Sequence, residues 1–145
     1  MEENNGQITI LNVKELNFEL NKDVDLEKLK GSRLKIGFLS GLGYKEDSDD
    51  IKFNVGFRVL YDENSPLITY GLSFDVELKG FSEMSHREAD VRMNPVVERL
   101  LAYCYAFLGG AMMKHTDGTG LKRFYLPILK ASEMMPLLVV EELRD

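Results

Sequence analysis

Between residues 51 and 61 the sequence IKFNVGFRVLY alternates without a break. Ile51, Phe53, Val55, Phe57, Val59 and Tyr61 fall on one side of an extended chain, and Lys52, Asn54 and Arg58 on the other. A period of two marks a strand with one face buried. Residues 67–80 repeat the pattern, setting Ile68, Tyr70, Leu72, Phe74, Val76 and Leu78 against Thr69, Ser73, Asp75, Glu77 and Lys79. In residues 34–44 an apolar face of Leu34, Ile36, Phe38, Leu42 and Tyr44 is backed by Gly37, Gly41 and Gly43. Those glycines form a small-residue surface that lets a backbone or side chain come close, or the floor of a shallow groove. Residues 8–20 alternate less cleanly, with Leu16, Phe18 and Leu20 opposing Glu15, Asn17 and Glu19. The polar links KEDSDD (45–50) and DENSP (62–66) are short, so the last three strands form an antiparallel meander with one apolar face. Residues 23–30, DVDLEKLK, read as a longer charged connection from the first strand.

The period then changes. Asn94-Pro95 is a helix start, an N-cap followed by proline at the first helical position. The helix is predicted to run to about His115, where Lys114 and His115 suit its C-terminal dipole and Gly118 lies beyond. Residues 100–113, LLAYCYAFLGGAMM, are apolar nearly all round but shorter than the roughly 20 residues that span a bilayer, so they predict a buried helix. One sheet face covers only one stripe of it, which leaves the rest for a second subunit. A second helix is predicted towards the C-terminus, capped by Ser132, although Pro136 and Val139-Val140 oppose a long one. The order predicts an α+β fold: a four-stranded antiparallel sheet, a long helix and a shorter C-terminal helix, in a single domain over residues 1–145.

Composition narrows the function. With 145 residues, 44% hydrophobic and 29% charged, the chain can bury one core and is not disordered. A formal charge of −6 excludes a phosphate-backbone binder and leaves room for a basic protein partner. The lone Cys104, inside the apolar helix, forms no intrachain disulfide and reads as inert core. Residues 1–7 are acidic and polar rather than signal-like, so the expected location is the cytoplasm.

The sequence predicts no enzyme, cofactor or metal site. His86 and His115 lack partners at zinc-ligand spacing, and Ser85, His86 and Glu88 sit in no nucleophile elbow. Asp47, Asp49 and Asp50 begin like a calcium loop but lack its glycine and distal glutamate, so they read as a solvated turn. Gly41-Leu42-Gly43 and Gly118-Thr119-Gly120 complete no nucleotide fingerprint. Two features point to binding instead. Glu15 and Glu19, four apart on a strand, face the same way about 13 Å apart and suit either solvent or a basic partner. Met112, Met113, Phe124, Tyr125, Met134 and Met135 are core filling or a pliable apolar surface.

KELNFE (14–19), FDVELKGF (74–81) and GTGLKRFYLPI (118–128) resemble, in order and spacing, the first strand, fourth-strand end and helix link of the SecB family of bacterial export chaperones. The resemblance spans nearly the whole chain. It implies an ATP-independent holdase for unfolded or precursor polypeptides, assembled as a tetramer, a dimer of dimers with the long helices packed between sheets. It implies that Glu15, Glu19 and Asp75 contact the SecA motor, with Ser73 where the family has an apolar neighbour. Client would lie along Phe124, Tyr125, Leu126, Ile128, Met134, Met135 and Leu137. The chain departs from the family in carrying Leu129-Lys130-Ala131 after the link proline and in Pro136. Relatives of SecB also serve other clients, such as antitoxins. The rival readings are a small α+β enzyme or ligand-binding protein of the hotdog or cystatin-like kind, and a structural oligomer without clients.

Overall fold

The computed structural model describes residues 7–21, 34–61, 65–116 and 130–143. Strands β1 (Ile8–Leu20), β2 (Leu34–Tyr44), β3 (Asp50–Tyr61) and β4 (Ser65–Leu78) come first. A short helix α1 (Glu88–Arg92), the long helix α2 (Pro95–Thr116), a single turn α3 (Ala131–Met134) and strand β5 (Val139–Glu142) follow. The strands make one sheet in the order β1-β4-β3-β2-β5. The meander of β2, β3 and β4 is present as expected, with β1 returning antiparallel beside β4. Residues 23–30 lie outside the described residues.

The alternation places the core. Phe53, Val55, Phe57 and Val59 of β3 pair across the ladder with Phe74, Leu72, Tyr70 and Ile68 of β4, so all eight side chains share one face. We call this the inner face. Helix α2 covers it with Val97, Leu101, Cys104, Leu108 and Met112, a stripe spaced three or four residues apart and fully buried. Asn94 caps the helix as expected: its Oδ1 accepts the Val96 amide at 2.8 Å and the Val97 amide at 3.4 Å. Residues 95–115 have the length and apolarity to cross a membrane, with a mean hydropathy of 1.3. Their stripe on the sheet makes them a core helix instead. Burial pushes the Cys104 thiol up to about 12, which leaves it almost entirely protonated and unreactive at neutral pH.

Two expectations are corrected at the C-terminus. The second helix is only Ala131–Met134, and Ser132 lies inside it rather than capping it; Lys130 holds the N-cap position with no side-chain bond. Met135–Leu137 then form a 3-10 turn in which Pro136 takes one of the first two positions. The missing proline N–H costs nothing there, and the ring stops the helix. The chain so redirected pairs Val139, Val140, Glu141 and Glu142 with residues 41–44 of β2, in parallel. The sheet therefore has five strands, not four. Helix α1 clips the new strand in place: Glu88 Oε2 accepts the Val140 amide at 3.1 Å and Arg92 Nε donates to the Leu138 carbonyl at 2.8 Å.

Asp49 stands in the β2–β3 turn as expected but does more than meet solvent. Its carboxylate accepts the Ser82 amide at 2.8 Å and the Gly80 amide at 3.1 Å, tying the β2–β3 turn to the chain leaving β4. The Ser82 bond is the main cause holding its carboxyl below the usual range, against some desolvation and helped by Gly80 and the Lys79 charge. A carboxyl with a lowered folded pKa stabilises the fold above its unfolded pKa, and that contribution fades as pH falls through the folded value. Asp49→Ala is expected to cost about 1–2 kcal/mol in urea unfolding at pH 7. The difference from the parent protein should shrink as the acid is titrated; a constant difference down to pH 2 would contradict it.

Candidate polypeptide-binding surfaces

Two β-bulges decide what each side of the sheet offers. The β1–β4 register slips between Ile10 and Asn12 and again between Glu15 and Asn17, which leaves Leu11 and Leu16 as extra residues. Both are exposed leucines. The second bulge breaks the expectation that Glu15 and Glu19 face the same way. Glu15 pairs with Leu72 and so joins the inner face, whereas Glu19 pairs with Thr69 on the outer one. Glu15 Oε1 lies 2.8 Å from His115 Nε2 at the end of α2. The His115 ring stacks on Phe18 at 4.3 Å and meets Tyr70 edge-on at 5.0 Å. Burial, and after it the Glu15 charge, pushes the Tyr70 phenol up to about 12.

Of the three acidic residues that the resemblance implies for a motor contact, Glu19 and Asp75 remain on the outer face. Asp75 is already engaged, 3.7 Å from Lys52 Nζ and 3.4 Å from the Asn12 side-chain amide.

The outer face has a hollow at its centre. Gly56 of β3 pairs with Gly71 of β4, so two adjacent strands present bare backbone where the polar side of the alternation should stand. Leu39 of β2 pairs with Gly56, and Leu16 packs against Gly71 from the β1 side. These leucines wall a cup of about 310 Å³ that Leu137 and Val139 extend at the β2 edge. Leu39 is 67% exposed and Leu137 65%, a high figure for aliphatic side chains that line one hollow. Arg58 and Thr69 stand at one end of the cup, Asn54 at the other and Asn17 beside Leu16. Of the β2 glycines, Gly41 also lines this cup. A Cβ on Gly43 would strike the Leu143 side chain at 2.7 Å, so this glycine admits the chain after β5.

On the inner side, α2 leaves a second apolar surface. Tyr103 is 49% exposed and Phe107 40%, and Ala102, Ala106, Gly110 and Met113 are exposed beside them. A trough of about 600 Å³ runs from this stripe to β1, lined by Val13, Leu72, Phe107, Gly110, Ala111 and Lys114 among others.

Of the C-terminal residues expected to hold client, Phe124, Tyr125, Leu126 and Ile128 lie outside the described residues. Met134 and Met135 are buried, so they belong to the core rather than to an open groove. Leu137 does face a hollow. The cup itself was not singled out in the sequence, although Gly56 and Gly71 interrupt the polar side of two neighbouring strands and carry its signal.

Ser85, His86 and Glu88 do not converge. The Ser85 hydroxyl donates to Asp90, the His86 ring stacks on Phe81 with Nε2 2.8 Å from its carbonyl, and Glu88 holds Arg92 and β5. No group of three or more His, Cys, Asp or Glu able to hold a metal occurs among the described residues.

The sheet carries apolar hollows on both sides. The chain has a SecB-like fold. It superposes on the Mycobacterium tuberculosis Rv1957 SecB-like chaperone, solved in complex with a ChAD peptide from the Rv1956 HigA1 antitoxin. The TM-score is 0.59 at 9% identity, over 88% of this chain and 96% of that one. A protein of unknown function from Streptococcus agalactiae matches at a TM-score of 0.43 and 13% identity, over 85% of this chain and 97% of that one. No protein-family model and no curated protein matches the sequence.

Proposed function

We propose that this protein is an ATP-independent holdase that binds non-native polypeptide, acting in the cytoplasm as a homo-oligomer of the dimer-of-dimers kind. The observation that supports it most is the apolar surface left open on both sides of the sheet, around Leu39 and Leu137 outside and Phe107 inside. Such surface on a SecB-like fold suits segments that must be kept from aggregating, and burial there needs no defined client sequence. The antitoxin peptide carried by the Rv1957 chaperone supports polypeptide as the ligand class.

Two client routes differ in what supports them. Delivery of precursors to SecA is supported by Glu19 and Asp75 on the outer face, without Glu15, which turns inward to His115. A dedicated client such as an antitoxin requires no acidic motor face, and the loss of Glu15 from that row favours it.

The decisive measurement is light scattering of an unfolded client diluted into buffer. Stoichiometric protein should suppress most of the scattering, and Leu39→Asp with Leu137→Asp should remove most of that protection while leaving thermal unfolding unchanged. A parent protein without effect on aggregation would sink the holdase reading. In the same preparation, binding of purified SecA that Glu19→Lys abolishes would support export, and absence of binding would leave the dedicated client.

A further inference from the structure

The outer-face cup combines apolar walls with a cation. Arg58 stands on the β3 row next to Gly56, exposed, and makes no ion pair or side-chain hydrogen bond with any described residue. The nearest acidic side chain along its row is Glu19, two strands away through Thr69. Asn17 and Asn54, exposed on opposite sides of the hollow, also lack side-chain partners among the described residues. The chain's overall charge of −6 repels acidic ligands in general, so a guanidinium with no partner among the described residues, set at an apolar hollow, singles out this spot for one. A guanidinium's fork of donors matches the two oxygens of a carboxylate, the anionic group that a polypeptide client carries.

We infer that the cup is a specificity pocket for client segments in which a bulky aliphatic or aromatic residue is flanked by an acidic side chain. The apolar residue enters the space above Gly56 and Gly71 between Leu16 and Leu39, and the neighbouring carboxylate pairs with Arg58. The carboxamides of Asn17 and Asn54 each donate and accept, which suits the backbone of a chain passing over the cup rather than a chain end that needs donors alone. This deepens the holdase reading and rests on it: it assigns that activity a preference by charge, set by one residue.

Gly71 supplies a clean means of closing the cup. A Cβ there would meet Leu16 Cδ1 at 3.5 Å, the Val55 carbonyl at 3.5 Å and Asn17 Oδ1 at 3.7 Å, all ordinary contacts. Its backbone is not among the positive-φ glycines. A Cβ is therefore accepted there without straining the strand, and the leucine of Gly71→Leu grows from it into the hollow beside Leu16. Gly56 is unsuitable, because a Cβ would lie 3.0 Å from the Tyr70 carbonyl.

The test uses fluorescein-labelled unstructured decapeptides with a central leucine flanked by two aspartates, by two lysines, or by aspartates with the leucine replaced by serine. Anisotropy should show the aspartate–leucine peptide binding about tenfold or more tightly than the other two, with the margin over the lysine peptide narrowing in high salt. Arg58→Glu should invert the order of the two leucine peptides, and Gly71→Leu should weaken both with unfolding curves unchanged. Equal affinities for the acidic and basic peptides, or an unaltered order in Arg58→Glu, would overturn the proposal. Client holding without charge preference would remove the pocket and keep the holdase. Charge-selective peptide binding without suppression of aggregation would do the reverse.

Discussion

Phe74→Ala is expected to cost about 3–5 kcal/mol, a large share of the roughly 5–15 kcal/mol that holds a domain of this kind together. The reason is position as much as size. Phe74 has no exposed surface and sits on β4 between Val13 of β1 and Phe53 of β3. Above the sheet its ring meets Phe107 at 5.5 Å and Tyr103 at 6.4 Å, both edge-on. Removing it leaves a void among three strands and a helix, in a place where neither ring nor backbone can collapse inward without breaking the ladder. Phe74→Leu keeps most of the volume and should cost about 1–1.5 kcal/mol. Urea unfolding measures both through the midpoint, with the slope unchanged if only the folded state is affected. A loss under 1 kcal/mol for the alanine variant would mean that the ring is not the keystone its burial indicates.

The importance of Phe74 could be read from the alternation alone, and so could the faces of β2, β3 and β4. Three strands joined by short polar links leave one pairing, and an unbroken period of two assigns each residue a side. Strand β1 was not legible in this way. Its two bulges each insert one leucine, and a single inserted residue moves everything beyond it to the other face. Glu15 thereby exchanges sides with Leu16, and the expected acidic row loses a member. The parallel pairing of β5 was equally hidden: VVEE is too short to carry a period, and the clip that holds it comes from Glu88 and Arg92, far back in the chain. Asp49 looked like a merely solvated turn residue because its amide partners, Gly80 and Ser82, lie more than thirty positions later. The three glycines of β2 mark the cup only in part, since Gly41 lines it from the side. The floor is made instead by single glycines on two strands, which only the register brings together.

The surplus apolar character of α2, by contrast, was evident from its sequence, and it leads to the second large effect. Tyr103→Glu combined with Phe107→Glu is expected to reduce the protein in solution from an oligomer to a single 16.5 kDa chain. The buried stripe of α2 already covers the inner face, and Tyr103 and Phe107 touch Phe74 on one side only, which leaves the rest of their apolar surface exposed on the protomer. Its small residues, Ala102, Ala106 and Gly110, would let a facing helix approach closely, while Tyr103 and Phe107 supply the aromatic anchors that dominate interfaces. Placing a carboxylate at each anchor buries two unpaired charges in any such interface, which should weaken association by at least about 100-fold. Sedimentation across a range of concentrations reads the mass, and circular dichroism confirms that α2 remains helical. A parent protein that sediments as a monomer at every concentration, or a double variant that keeps the parent mass, would refute this face as the subunit contact. Should the double variant become monomeric yet still suppress client aggregation, the α2 stripe serves assembly alone, and client holding belongs to the outer-face cup.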